Sequence, residues 1–212
     1  MNQKRNQMAT NEVELEVISP KQDEFMQNVY EEFLEDRQII LNDYVDDKLL
    51  ERAVLQIIKF NKEDQGKSVE SRVPIILHIN TLGGDVSSGL TLIDVIQTSK
   101  TPVYGVCHKA CSMGAYILVS CHKRFAFKNS TLLFHDGSTF VGSSSSKVKD
   151  TVRWMNELEV RLDNLVFANT KIDEAEYEKH RRDEWYMFPS EAKELGIINH
   201  IIGEDVELDA IL

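Results

Sequence analysis

Cys107-His108-Lys109-Ala110-Cys111-Ser112-Met113-Gly114-Ala115 is the stretch on which the fold of this chain turns: an apolar strand stops there and a helix of small residues begins. A hydroxyl at such a junction sits at the positive end of the helix. Backbone N–H groups without a helical acceptor lie beside it and can hold a developing oxyanion. Ser112 is the candidate nucleophile.

Upstream, Ile75-Ile76-Leu77-His78-Ile79-Asn80 reads as a buried parallel strand that Gly83-Gly84 ends. Val86, Leu90, Ile93 and Ile96 then share one helical face, and residues 103–107 form the next strand. Further back, Gln38-Ile39-Ile40-Leu41 is a short buried strand, and Asp46 and Asp47 open a helix with Leu50, Ala53, Val54, Ile57 and Ile58 on one face. Residues 61–72 read as a surface loop. Strand, helix, strand, helix with short connections means crossovers and a mainly parallel sheet covered by helices, an α/β architecture.

Downstream, residues 124–127 and 131–135 read as two further strands, and the serine-rich stretch 137–146 as a flexible loop with Ser146 as N-cap. Between Lys147 and Thr170, Val148, Val152, Met155, Leu158, Leu162 and Leu165 form an apolar stripe on a helix roughly 36 Å long. Trp154, Val160 and Phe167 lie off that stripe. A helix apolar on more than one side is buried on more than one side, so this one projects towards a partner. Residues 173–180 and 189–195 predict short helices and residues 196–202 a closing strand. One domain over 23–212, preceded by a mobile arm over 1–22 with a short helix from Asp23 to Leu34 beyond it, accounts for the 212 residues.

A net charge of −11 is the wrong sign for binding nucleic acid or an anionic membrane surface. No apolar run approaches the ~18 residues of a membrane span and the first residues hold no apolar signal core, which predicts a cytoplasmic protein. The three cysteines, Cys107, Cys111 and Cys121, do not form a secreted framework and are expected to be reduced. Together with His108 and His122 they lack the spacing of a zinc site, so no metal is expected.

A nucleophilic serine needs a base. Six histidines compete, and His135 ends an apolar strand just before Asp136-Gly137, at the edge where active sites of parallel sheets lie. Gly83-Gly84, also at a strand end, offers backbone donors that can closely approach a reacting carbonyl.

These segments, in this order, resemble the proteolytic subunit of the caseinolytic Clp protease. The resemblance runs from about Phe33 to Ile202 and is carried by Ile79-Asn80-Thr81-Leu82-Gly83-Gly84-Asp85-Val86, by Ala110-Cys111-Ser112-Met113-Gly114-Ala115, by Lys128-Asn129-Ser130 leading to His135, and by residues 190–198. It implies a crotonase-like ββα spiral fold with a projecting handle helix over 147–170. It also implies a serine endopeptidase with Ser112 as nucleophile, His135 as base, and the N–H groups of Gly84 and Met113 as the oxyanion hole. The family's third acid falls near Arg182-Asp183-Glu184, and either Asp183 or Glu184 fits. Two stacked heptameric rings, unfolded polypeptide as substrate and an AAA+ unfoldase that uses ATP are implied as partners, with no cofactor bound by this chain. Thr81-Leu82, His108 and Asp136-Gly137 depart from the family pattern. They leave room for a second reading, a catalytically silent ring subunit assembled with an active paralogue. A crotonase-type acyl-CoA hydratase or isomerase would share the fold but gives no role to Ser112 or His135.

Overall fold

The computed structural model describes residues 20–137 and 140–211. Most of the expected N-terminal arm, residues 1–19, and positions 138 and 139 of the expected loop lie outside the described residues; helix α1 (Pro20–Glu35) opens inside the range read as arm.

β1 (Gln38–Leu41), β2 (Ile75–Thr81), β3 (Val103–Cys111) and β4 (Lys123–Phe134) pair in that order, all parallel. On the far edge of β4, β6 (His200–Ile202) runs parallel beside Phe125–Phe127, and β5 (Trp185–Met187) runs antiparallel beside Leu132–Phe134. The sheet is therefore mixed. Its helices are α2 (Leu55–Glu63), α3 (Val86–Thr98), α4 (Met113–Val119), α5 (Ser145–Asn169), α6 (Glu174–His180) and α7 (Pro189–Glu194). The main core lies between the sheet and α2, α3 and α4, where Ile57, Ile75, Leu77, Ile79, Leu92, Ile96, Ile117 and Leu118 are fully enclosed. This is the α/β, crotonase-like architecture that the resemblance implied.

Four expectations need correction. The helix before β2 begins with a π-helical stretch, Leu50–Val54, which shifts the phase of everything after it. Ala53, Val54, Ile57 and Phe60 face the core, whereas Leu50 and Ile58, placed on that face by a uniform 3.6-residue period, are about half exposed. Residues 124–127 and 131–134 belong to one twelve-residue strand, β4, and not to two, and His135 lies just past its end. The apparent break is a slip in pairing: Cys107 faces Ala126 while Lys109 faces Thr131, and the Ser130 hydroxyl donates to the Cys107 carbonyl at 2.6 Å. The closing strand is shorter than its apolar run because Gly196, at φ +72°, caps α7; the Ile197 N–H reaches back to the Ala192 carbonyl at 2.8 Å and the Gly196 N–H to Lys193.

Residues 61–72 are also more than loop. α2 runs to Glu63, and Asp64 behind it is fully buried. Its carboxylate accepts two bonds from the Arg37 guanidinium, at 2.6 and 2.9 Å, one from Lys67 at 2.7 Å and one from the Thr101 hydroxyl at 3.0 Å. Arg37, held at φ +60° between α1 and β1, stacks over Phe60. Arg37 chiefly holds the Asp64 carboxyl well below the usual carboxylate range. Asp64→Ala would leave the largely buried Arg37 guanidinium with only the longer contact to Glu63, at 3.4 Å, for a counter-charge. It is expected to destabilise the fold by roughly 3 kcal/mol, read as a lower urea midpoint; an unchanged midpoint would show the cluster to be idle.

On the opposite sheet face, His78 Nδ1 lies 3.2 Å from His108 Nε2, and its Nε2 bonds the Gln38 side chain at 2.8 Å. Burial, reinforced by His108, pulls the His78 pKa down from 6.5 to about 4. The unfolded chain takes up a proton near pH 6.5, the folded chain only near 4, so stability falls as pH drops through that window. Burial lowers His108 and His122 in the same direction. His78→Phe is expected to flatten the fall of the melting temperature between pH 6.5 and pH 4, and an unaltered slope would remove His78 as its source.

Candidate active site

Ser112 stands between β3 and α4 at φ +52°, ψ −125°. Among the described non-glycine residues only it and Arg37 have positive φ. A strained backbone at a strand-to-helix turn pushes the side chain out of the sheet edge, as the nucleophile elbow of α/β-hydrolases does. The turn is tied to β4 through Ser112 N–H to the Leu133 carbonyl at 2.9 Å.

The two glycines before α3 pack under this turn. A Cβ on Gly83 would come within 2.7 Å of the Ser112 Cβ and 3.0 Å of the Met113 nitrogen. Gly84, at φ +150°, lies against Val45, where a Cβ would meet the Val45 carbonyl oxygen at 2.2 Å. Val45 bonds both sides of it, its N–H to the Gly83 carbonyl and its carbonyl to the Asp85 N–H, which leaves the Gly84 N–H with no internal acceptor among the described residues. The Met113 N–H, first in α4, also has none. The Met113 side chain fits into the space that a Cβ on Gly89 would take, and the Thr81 methyl fills the space beside Gly114. Thr81 also accepts the Gly83 N–H at 3.0 Å, so the departure Thr81-Leu82 keeps the glycine turn anchored while Leu82 is exposed.

Ser112, Met113 and His135 line one cleft together with Val86, Tyr116 and Leu162. Of the six histidines, His135 alone is there. His122 accepts the Val103 N–H, His180 stacks on Trp185, His200 stacks on Phe125, and His78 and His108 bond each other. Larger grooves exist, about 410 Å³ between α1 and β1 and about 490 Å³ between α3 and α5, but neither holds a histidine.

His135 follows the last residue of β4, and Glu184 precedes the first of β5. Antiparallel pairing sets Phe134 opposite Trp185, so His135 and Glu184 meet one step beyond the ladder, Nδ1 to Oε1 at 2.9 Å. A carboxylate only accepts, so Nδ1 carries the proton and Nε2 keeps its lone pair for a neighbouring hydroxyl. Asp183, the other carboxylate left open by the sequence, turns instead to His180 at 3.8 Å. Trp185 anchors β5 through its indole N–H to Glu191 at 3.3 Å. The periodicity of the chain gives no hint of β5, which is why the sequence leaves Asp183 and Glu184 both open as the partner of His135.

The cysteine before Ser112 does not compete with it. Cys111 is buried, and burial raises its pKa; Cys107 and Cys121 are pushed up to about 12 by the same cause, so all three thiols stay protonated near neutrality. No group of three or more His, Cys, Asp or Glu residues able to hold a metal occurs among the described residues.

A crotonase-like spiral with serine, histidine and carboxylate at one sheet edge and two free backbone donors beside them has the layout of acyl-transfer hydrolases. The Clp protease family model matches residues 21–205, and the chain belongs to that family of peptidases. No helix of the described residues is long and apolar enough to cross a membrane.

Proposed function

We propose that this chain is a Clp-type serine endopeptidase subunit that hydrolyses peptide bonds of unfolded polypeptides. The observation that carries the reading is the shared cleft of Ser112 and His135, with His135 oriented by Glu184. His135 Nε2 takes the Ser112 proton as Oγ bonds to the substrate carbonyl carbon. The carbonyl oxygen gains charge beside the N–H groups of Gly84 and Met113. Collapse breaks the C–N bond, and the leaving amine takes the proton from His135. Water, deprotonated by the same nitrogen, then releases the acyl group from Ser112. No cofactor takes part in these steps.

α5 supports an assembled state. Of its 25 residues only Leu162 and Val166 are buried, while Val152, Trp154 and Val160 stand exposed along its length. A second copy of the chain would cover them, and stacked heptameric rings would enclose the clefts in a chamber. An AAA+ unfoldase, using ATP, would feed it in the cytoplasm.

One observation favours the silent ring subunit: no hydrogen bond joins Ser112 to His135 among the described residues, and Glu184 is largely exposed. Catalytic hydrogen bonds often tighten only with substrate bound, which keeps the active reading ahead. Intact-mass analysis after exposure to a fluorophosphonate separates the two. The active reading expects one adduct, mapped to Ser112 and absent from Ser112→Ala; an assembled sample that takes no adduct is a silent subunit.

A further inference from the structure

We infer that His78 and His108 form a two-coordinate site for a soft monovalent metal ion, copper(I), on the sheet face opposite the helix-packed core and apart from the catalytic cleft. His108 is one of the departures from the family pattern, and no step of the peptidase mechanism uses either ring.

Strand pairing singles out His108. On one side of β3, Ile79 pairs with Cys107 and Asn80 with Lys109; on the other, Ala126 pairs with Cys107 and Thr131 with Lys109. His108 therefore has no partner on either neighbouring strand. An extra residue of this kind bends the strand and re-aims its side chain. Here it brings Nε2 of His108 to 3.2 Å from Nδ1 of His78. The ring centroids are 5.4 Å apart, nearly the most that such a contact allows. The two nitrogens thus lie almost on the line joining the rings, and their lone-pair directions oppose each other.

Gln38 sets the tautomer of His78. Its side-chain oxygen accepts from Nε2 at 2.8 Å, so Nε2 holds the proton and Nδ1 is bare. A ligating imidazole is oriented in the same way, by an acceptor on its far nitrogen. Phe33 and Phe127 flank the pair, with ring centroids 5.8 Å from His78 and 5.0 Å from His108. No third histidine, cysteine or carboxylate joins them among the described residues. Zinc(II) asks for four ligands at tetrahedral angles, which an in-line pair does not supply. Copper(I) accepts two nitrogens in line, and imidazole is among its ligands. At metal–nitrogen lengths of ~2 Å, its entry parts the nitrogens by roughly 0.8 Å, which the exposed His108 ring can yield by turning. Two nitrogen-to-metal bonds form and the hydrogen bond between the rings is lost. His78 keeps its Nε2 proton, the His108 proton moves from Nε2 to Nδ1 through solvent, and no electron is transferred. The net charge of −11 favours a cation.

The test is titration of the full-length assembled protein, reduced and under argon, with copper(I) in competition with bicinchoninate, followed by X-ray absorption at the copper edge. The parent is expected to take up one equivalent more than His108→Gln, held by two nitrogen neighbours and no sulfur. Gln38→Leu is expected to weaken that equivalent by about tenfold or more, the loss that follows removal of a ligand's hydrogen-bond partner. Circular dichroism checks that His108→Gln, a change of an exposed side chain, folds like the parent; if it does not, the absorption spectrum of the parent at one equivalent decides alone. Equal uptake by parent and variant, or sulfur around the ion at one equivalent, overturns the site, the second outcome giving the ion to Cys107, Cys111 or Cys121. Zinc(II) bound by the parent as tightly as copper(I), and lost in His108→Gln, overturns the choice of a monovalent ion.

Discussion

Ser112→Ala is expected to fold and assemble like the parent and to lose peptidase activity by roughly 10⁵–10⁶-fold in kcat, the scale on which a nucleophile acting with its base is missed. The substitution removes one oxygen from a side chain whose recorded anchors are backbone bonds, Ser112 N–H to Leu133 and the Ser112 carbonyl to the Ala115 N–H, and alanine keeps both. The positive φ is equally unfavourable for both residues, so no new strain enters. Steady-state turnover of a fluorogenic peptide, with light scattering to follow the oligomer, checks the expectation. Activity within tenfold of the parent would remove Ser112 from the chemistry.

Glu184→Gln is expected to lower kcat by about 10²-fold or more, because the amide can present N–H to Nδ1 and favour the tautomer whose Nε2 cannot accept the serine proton. The known cost of this change reaches ~10⁴-fold where the acid is buried, and Glu184 is 60% exposed, so the low end is expected. Asp183→Asn is the contrast. Its carboxylate faces His180, and its loss should alter kcat by less than about threefold, as surface substitutions away from a site do. Equal losses in the two variants, or the larger loss in Asp183→Asn, would refute the pairing of His135 with Glu184.

What could be read from the sequence was local. The alternation of strands and helices through β2, α3, β3 and α4 follows from runs of apolar residues punctuated by Gly83-Gly84 and Ser112, and each signal spans less than twenty residues. The stripe of α5 and its surplus of apolar positions were legible for the same reason. So was the placing of Ser112 and His135 at the ends of strands, and of Gly83-Gly84 at the end of another, since each is a local break in an apolar run. Only tertiary structure decided the rest, because it depends on pairing between distant segments. The π-helical turn at Leu50–Val54 reassigns a buried face, and a periodic pattern averages over it. Asp64 reads as one charge in a polar loop until Arg37 and Thr101 close around it. The choice between Asp183 and Glu184 could not be made by counting residues. It is set by the antiparallel register that puts Trp185 opposite Phe134, and successive side chains on a strand point to opposite sides, so one residue of register decides which carboxylate reaches His135.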